Sequence, residues 1–176
     1  MEDNLSKVKN KMVLEMIAVA HEFNVFTEDL AKKNVNDILG FYQKVLPLMY
    51  VKASLLLDIE VSDESANERY VAEEHWESVF MALKGKFGKG DVFWELDESN
   101  DSIKASLSEK LADIYQDTKD FVVLFQKNRL VAKENAVFEI KRLLKVHWGP
   151  RAISVLNQVH HLLYAKEMEQ ENEFLY

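Results

Sequence analysis

Apolar residues recur at steps of three and four from the start of the chain: Leu5, Val8, Met12, Met16, Val19, Phe23 and Phe26, with Val13, Ile17 and Ala20 widening the face. A strand would alternate every second residue, so this spacing predicts a first helix over residues 5–26. A second helix is expected after Asn34, whose side chain can cap the free amides, with Asp37 near the positive end. It carries Ile38, Leu39, Tyr42, Val45, Leu46 and Met49 inward. Pro47 removes one backbone donor and is expected to kink or split that helix.

The periodicity breaks between Asp58 and Val71, the first long connection. A third helix is predicted over residues 72–87, with Glu73 and Glu74 in its first turn, Lys84 and Lys86 in its last, and Gly85 and Gly88 as stops. Residues 88–105 read as a second irregular stretch, in which Val92, Phe93, Trp94 and Leu96 are expected to fold back onto the bundle. Ser106-Leu-Ser-Glu109 is a capping box opening a fourth helix, from Leu107 to about residue 127. Asn128-Arg129 joins it to a fifth helix over residues 130–146. His147-Trp148-Gly149-Pro150 ends that one, and Pro150 is expected at the first position of a sixth, with Ile153, Leu156, Val159 and Leu163 facing inward. The pattern therefore predicts an all-α fold: about six helices in a single antiparallel bundle-like domain with two longer irregular loops. The domain spans residues 1–166, and residues 167–176 form an acidic tail expected to fray under its own repulsion.

Composition narrows the chemistry. At 176 residues and 48% apolar content the chain can fill one core. It holds no cysteine, which excludes disulfides, Cys-ligated metals and thiol nucleophiles. There is no targeting signal and no apolar run near the ~20 residues a membrane span needs, so a cytoplasmic location is expected. The net charge of −8 disfavours nucleic acid as a partner.

Three sets of residues could carry chemistry. Glu109, Asp113, Asp117 and Asp120 form one acidic stripe on the fourth helix. Asp113 and Asp117, one turn apart and joined by Glu139 from the next helix, could hold a hard divalent cation. The commoner outcome for such a stripe is a solvated face, or ion pairs with Lys133, Lys141 or Arg142. No other cofactor is evident. The loop bearing Asp58, Glu60, Asp63, Glu68 and Arg69 could dock a partner; it lacks the glycine and ligand spacing of an EF-hand.

Arg142 and His147 resemble the Arg-x₄₋₆-His motif of helical-bundle ribonucleases of the higher-eukaryote-and-prokaryote-nucleotide-binding type, in which the pair acts on the phosphodiester. Arg69 and His75 repeat the spacing, which shows how easily it arises. On a continuous helix Arg142 and His147 point about 140° apart, so they converge only if the helix unwinds at His147. A helix-terminal, half-buried histidine bonded to a carbonyl is the simpler reading, and Trp76, Trp94 and Trp148 read as core anchors.

Over most of its length, residues 13–163, the chain resembles a bacterial family known only as domain of unknown function 5063. The resemblance is carried by Asp58-Ile-Glu-Val-Ser-Asp63, Ala66-Asn-Glu-Arg69, Ser106-Leu-Ser-Glu109, Leu111-Ala-Asp-Ile-Tyr-Gln-Asp117, Lys119-Asp-Phe121, Ala132-Lys-Glu-Asn-Ala136, His147-Trp-Gly149 and His160-His-Leu162. Ala72 stands where a capping Thr is expected and Leu57 where a Pro is usual. The resemblance implies no activity, cofactor or site. The function expected from the residues is an interaction module without catalysis, which binds a protein partner or self-associates. The alternatives are a ribonuclease on Arg142 and His147, or a metal-binding bundle on Asp113 and Asp117.

Overall fold

The computed structural model describes residues 4–97 and 99–174, with side chains described through Ala165 and at Glu167. Seven α-helices and one β-hairpin follow in order: α1 (Asn4–Val8), α2 (Lys11–Glu28), α3 (Val35–Ser54), α4 (Glu73–Phe87), β1 (Val92–Leu96), β2 (Ser102–Ser106), α5 (Leu107–Phe125), α6 (Leu130–Val146) and α7 (Trp148–Phe174). The fold is all-α apart from that small antiparallel sheet. No helix of the described residues is long and apolar enough to cross a membrane.

Helix α5 is the axis of the bundle. It packs against α2, α4, α6 and α7, while α3 closes the far side on α2 and α7. Leu107, Leu111, Ala112, Ile114 and Tyr115 of α5 are completely buried, as are Met16 and Phe23 of α2 and Ile38, Tyr42 and Met49 of α3. These residues fall at the helical spacing read from the sequence, because burying one stripe per helix is the main source of helix stability here.

Several details depart from the expected pattern. The first helix is two, because the Asn10 side chain accepts from the Met12 amide and caps a fresh start. Pro47 does not split α3, which continues to Ser54; Leu46 and Met49, flanking the proline, are both buried and hold the helix against its neighbours. Helix α4 ends at Gly88, whose φ of 53° suits glycine, and its N-cap Ala72 makes no side-chain bond. Helix α7 starts at Trp148, so Pro150 lies inside its first turn, and it runs on to Phe174, through most of the segment read as a tail. Ile153, expected inward, is exposed, and Ala152 and Val155 are buried in its place.

The largest difference lies in residues 88–105. After a 3₁₀ turn, Gly88–Asp91, the chain forms the hairpin, with Val92 opposite Ser106 and Leu96 opposite Ser102. Asp97 organises its turn: its amide donates to the Asp101 carbonyl at 2.9 Å, and its side chain accepts from the Ser99 and Asp101 amides. Asn100 takes the left-handed conformation (φ 63°) that closes the loop. Strand geometry sends alternate side chains to opposite faces. Phe93 alone of its apolar run is buried, whereas Val92, Trp94 and Leu96 are 55%, 64% and 67% exposed.

Candidate functional site

The acidic stripe of α5 becomes a charged seam between α4, α6, α7 and the loop that leads into α4. Asp113 accepts from the Trp76 indole of α4 at 3.0 Å and from the Arg151 Nε of α7 at 2.8 Å. Asp117, almost fully buried, meets His147 Nδ1 at 2.6 Å and Arg69 at 3.5 Å. Asp120 accepts the backbone amides of Tyr70 and Val71 through one oxygen, at 2.7 and 2.9 Å, and Arg69 at 3.2 Å through the other. Arg69 extends to Glu139 on α6 at 3.4 Å, and Glu139 takes two bonds of 2.8 Å from Arg142. Every carboxylate from Asp113 to Asp120 is thus held by a cation, an indole or a main-chain donor.

The basic residues expected to neutralise the stripe do other work. Lys133 lies over the Phe125 ring, Lys141 pairs with Asp58, and Arg142 turns back to Glu139 one turn earlier on its own helix. The partners are Arg69, His147 and Arg151, which reach α5 from a loop and from the α6–α7 junction. Arg151 was not singled out by its sequence context; its place four residues after His147 was the available signal.

The backbone leaves helical geometry at His147 (φ −135°, ψ −82°), as convergence with Arg142 requires. What His147 meets there is the Asp117 carboxylate, not a carbonyl. Its own carbonyl accepts from Arg151 at 3.1 Å. The junction is tight: a Cβ on Gly149 would stand 1.9 Å from the Leu144 carbonyl oxygen. Trp148, fully buried, anchors it by donating its indole hydrogen to the Ile140 carbonyl at 3.0 Å. Of the other tryptophans read as core anchors, Trp76 is half-buried and Trp94 lies on the surface.

Burial is the main influence on Asp117 and raises its pKa above the ordinary carboxylate value, against the opposing pull of His147 and Arg69. Glu139 moves the other way, because the Arg142 hydrogen bonds stabilise its anion beyond what burial costs it. Asp113 and Asp117 therefore direct their oxygens at protein groups. Among the described residues no group of three or more His, Asp or Glu side chains is placed to hold a metal ion.

The loop from Asp58 to Arg69 is stapled to the body. Glu134, buried on α6, binds the Ser62 amide at 3.0 Å, the Ser62 hydroxyl and the Asn4 amide group at 2.9 Å. Asn135 donates to the Asp63 carbonyl at 2.8 Å. Asp58 pairs with Lys141 at 2.7 Å, Glu68 with Arg129 at 3.3 Å, and the Asp63 side chain caps a 3₁₀ turn, Glu64–Ala66. Glu60, by contrast, is exposed, and its carbonyl accepts from Asn4.

The hairpin contrasts with this neutralised interior. The Asp97–Asp101 bond sets the alternation of the antiparallel ladder, which places Glu95 and Phe93 in the hydrogen-bonded pairs. The N–H and C=O groups of Val92, Trp94 and Leu96 therefore point away from β2. The same three residues carry the exposed apolar row. Beside this edge a groove of about 470 Å³ opens between β1 and α7, lined by Val92, Trp94, Gln158, His160 and His161. On the inner face Glu95 binds Lys110 at 2.7 Å and Ser154 at 2.5 Å, fixing the hairpin to α5 and α7.

The chain matches a defined family. Its model, Domain of unknown function (DUF5063), matches residues 7–165, and the chain belongs to that family. Protein BF1032 from Bacteroides fragilis, known from a crystal structure, is similar: 30% identical, with a TM-score of 0.82 over 90% of this chain and 96% of that one. Among curated proteins none matches.

Proposed function

We propose that this chain is a protein-interaction module without catalysis that works by strand addition at β1. One observation carries the reading: Val92, Trp94 and Leu96 combine a free main-chain edge with an exposed apolar row. An exposed edge strand offers unpaired donors and acceptors to another strand, and natural proteins usually blunt such edges with Pro, Lys, a bulge or an inward-pointing charge; the one such charge here, Glu95, is neutralised by Lys110. Val92-Phe-Trp-Glu-Leu96 carries no Pro or Lys. Clustered exposed apolar side chains mark interaction surfaces, and Trp is enriched at their energetic centres. The acidic loop was the other candidate surface; its Asp58, Glu68 and Arg69 are spent on Lys141, Arg129 and the groups around Asp117, which favours the hairpin.

The test is an array of extended peptides with alternating apolar residues, probed with wild type and with Trp94→Glu. Wild type is expected to bind a subset, and Trp94→Glu to weaken binding at least ~10-fold, a typical hot-spot loss. Binding that survives Trp94→Glu, or that is lost only on substituting Asp58 or Glu68, overturns the reading.

A second reading, phosphodiester cleavage, has one observation in its favour: His147 sits at an unwound helix end with Nδ1 held by a buried carboxylate, the arrangement of an oriented general base. Against it, Arg142 is committed to Glu139 and Arg151 to Asp113. Cleavage of RNA by wild type but not by His147→Ala would place this reading first.

A further inference from the structure

We infer that the strand added to β1 is β1 of a second copy of this chain, paired antiparallel about a two-fold axis at Trp94; this rests on the strand-addition reading above. The register follows from the ladder. The outward-facing backbone groups of Trp94 would exchange bonds with Trp94 of the copy, and Val92 would pair with Leu96 in both directions. The two hairpins then form one four-stranded sheet in the order β2–β1–β1–β2. Each residue of the apolar row lies opposite an apolar residue, and a marginal two-stranded ribbon becomes a sheet of ordinary size.

The self-complementary register favours a copy over a foreign segment, and the charge along the row permits it. With a net charge of −8 two chains repel at a distance, so a copy can seat only on a surface free of acids. The outward row of β1 is uncharged. Its nearest cation, Lys104, lies over the Trp94 ring at 5.4 Å. In the paired sheet the two Lys104 residues stand three strand spacings apart, about 14 Å, beyond the screening length of ordinary buffers. Glu95 faces the inner side, is neutralised by Lys110, and comes opposite Phe93 of the copy. The groove of about 470 Å³ beside β1 leaves the edge open to an incoming strand.

Size sets the strength. Three half-exposed side chains and a five-residue edge offer roughly 400 Å² per chain, about half of what each partner buries in a standard stable complex. The dimer is therefore weak and concentration-dependent.

Sedimentation equilibrium of the full chain, from about 1 μM to about 1 mM, reads this directly. Wild type is expected to move reversibly from 20.5 kDa toward twice that mass, and Trp94→Glu to dissociate at least tenfold more readily with unchanged circular dichroism. Because the chain has no cysteine, single-cysteine variants report the register. A short thiol cross-linker should join Val92→Cys to Leu96→Cys in a mixture and leave either variant alone largely unlinked. A chain that stays monomeric throughout, or a dimer indifferent to Trp94→Glu, or cross-linking of Val92→Cys to itself, overturns the inference. A monomer that still takes array peptides through Trp94 overturns the copy while leaving strand addition standing.

Discussion

His147 Nδ1 lies 2.6 Å from Asp117 Oδ2, so the residue at the α6–α7 bend is tied to the buried middle of α5. The carboxylate is 3% exposed, and losing the imidazole would leave it with Arg69 alone, at 3.5 Å. His147→Ala is expected to cost about 2 kcal/mol of folding stability, the usual cost of orphaning a buried charged acceptor. Combining it with Asp117→Asn should cost clearly less than the two single losses added together. Denaturant unfolding of the four proteins measures the coupling; additive losses would show that the pair does not act as one.

The seam holds two carboxylates whose acid responses have opposite signs. Glu139 has a folded-state pKa below its ordinary value, so its contribution is present above about pH 4.5 and is lost as pH falls through the lowered value. The deficit of Glu139→Gln, about 1 kcal/mol at neutral pH for a half-exposed arginine pair, should shrink on acidification. Asp117 has a raised value, so its contribution is full below about pH 3.8 and is lost as pH rises through the folded value. The stability of wild type relative to Asp117→Asn should therefore improve as pH falls. Unfolding curves at pH 3 to 7 test both slopes, and slopes of the same sign would contradict this account.

Gly149 is required by close approach. Gly149→Ala would drive a Cβ to 1.9 Å from a backbone oxygen that belongs to α6 and cannot yield as a side chain would. The expected loss is about 2 kcal/mol or more, with Trp148 displaced from its bond to Ile140. Thermal unfolding and Trp148 fluorescence report both. An alanine variant as stable as wild type would mean that the junction opens freely.

Asp120 works as a cap for a segment remote in sequence. Its Oδ1 accepts the Tyr70 and Val71 amides where the loop enters α4, whose own N-cap, Ala72, supplies no side-chain bond. Asp120→Ala should cost about 2 kcal/mol and expose those two amides to faster hydrogen exchange. Asp120→Asn, which keeps an acceptor oxygen, should cost less. Unchanged exchange at residues 70 and 71 in the alanine variant would contradict the capping role.

Because Asp113 and Asp117 are committed to Trp76, Arg151, His147 and Arg69, divalent cations should find no favourable site on α5. Adding millimolar Mg²⁺ or Mn²⁺ is expected to leave the unfolding temperature unchanged, since a ligand that bound the folded state would raise it. A saturable rise abolished by Asp113→Asn would reverse this conclusion.

The helical core was legible because one apolar stripe per helix is a local property: Met16, Phe23, Ile38 and Val159 are buried at the positions their spacing indicated. The acidic stripe on α5 was equally legible. Its partners were not, since Arg69, His147 and Arg151 reach it from segments 30 or more residues away. The hairpin was missed for a different reason. Val92-Phe-Trp-Glu-Leu96 reads as a greasy run, and burial was assigned to all its apolar members. A two-stranded sheet lying on a bundle can bury only one of its faces, so Phe93 went in and Trp94 stayed out.

The long helices and most of their registers, the Asn34 and Ser106 caps and the break at His147 are encoded locally, in side-chain spacing and in main-chain groups that need nearby partners. Tertiary structure alone decided which charges meet and which apolar residues remain wet. Those outcomes depend on how the elements pack, through ion pairs between distant segments and the one-sided burial of a strand pair. No window of the sequence contains either.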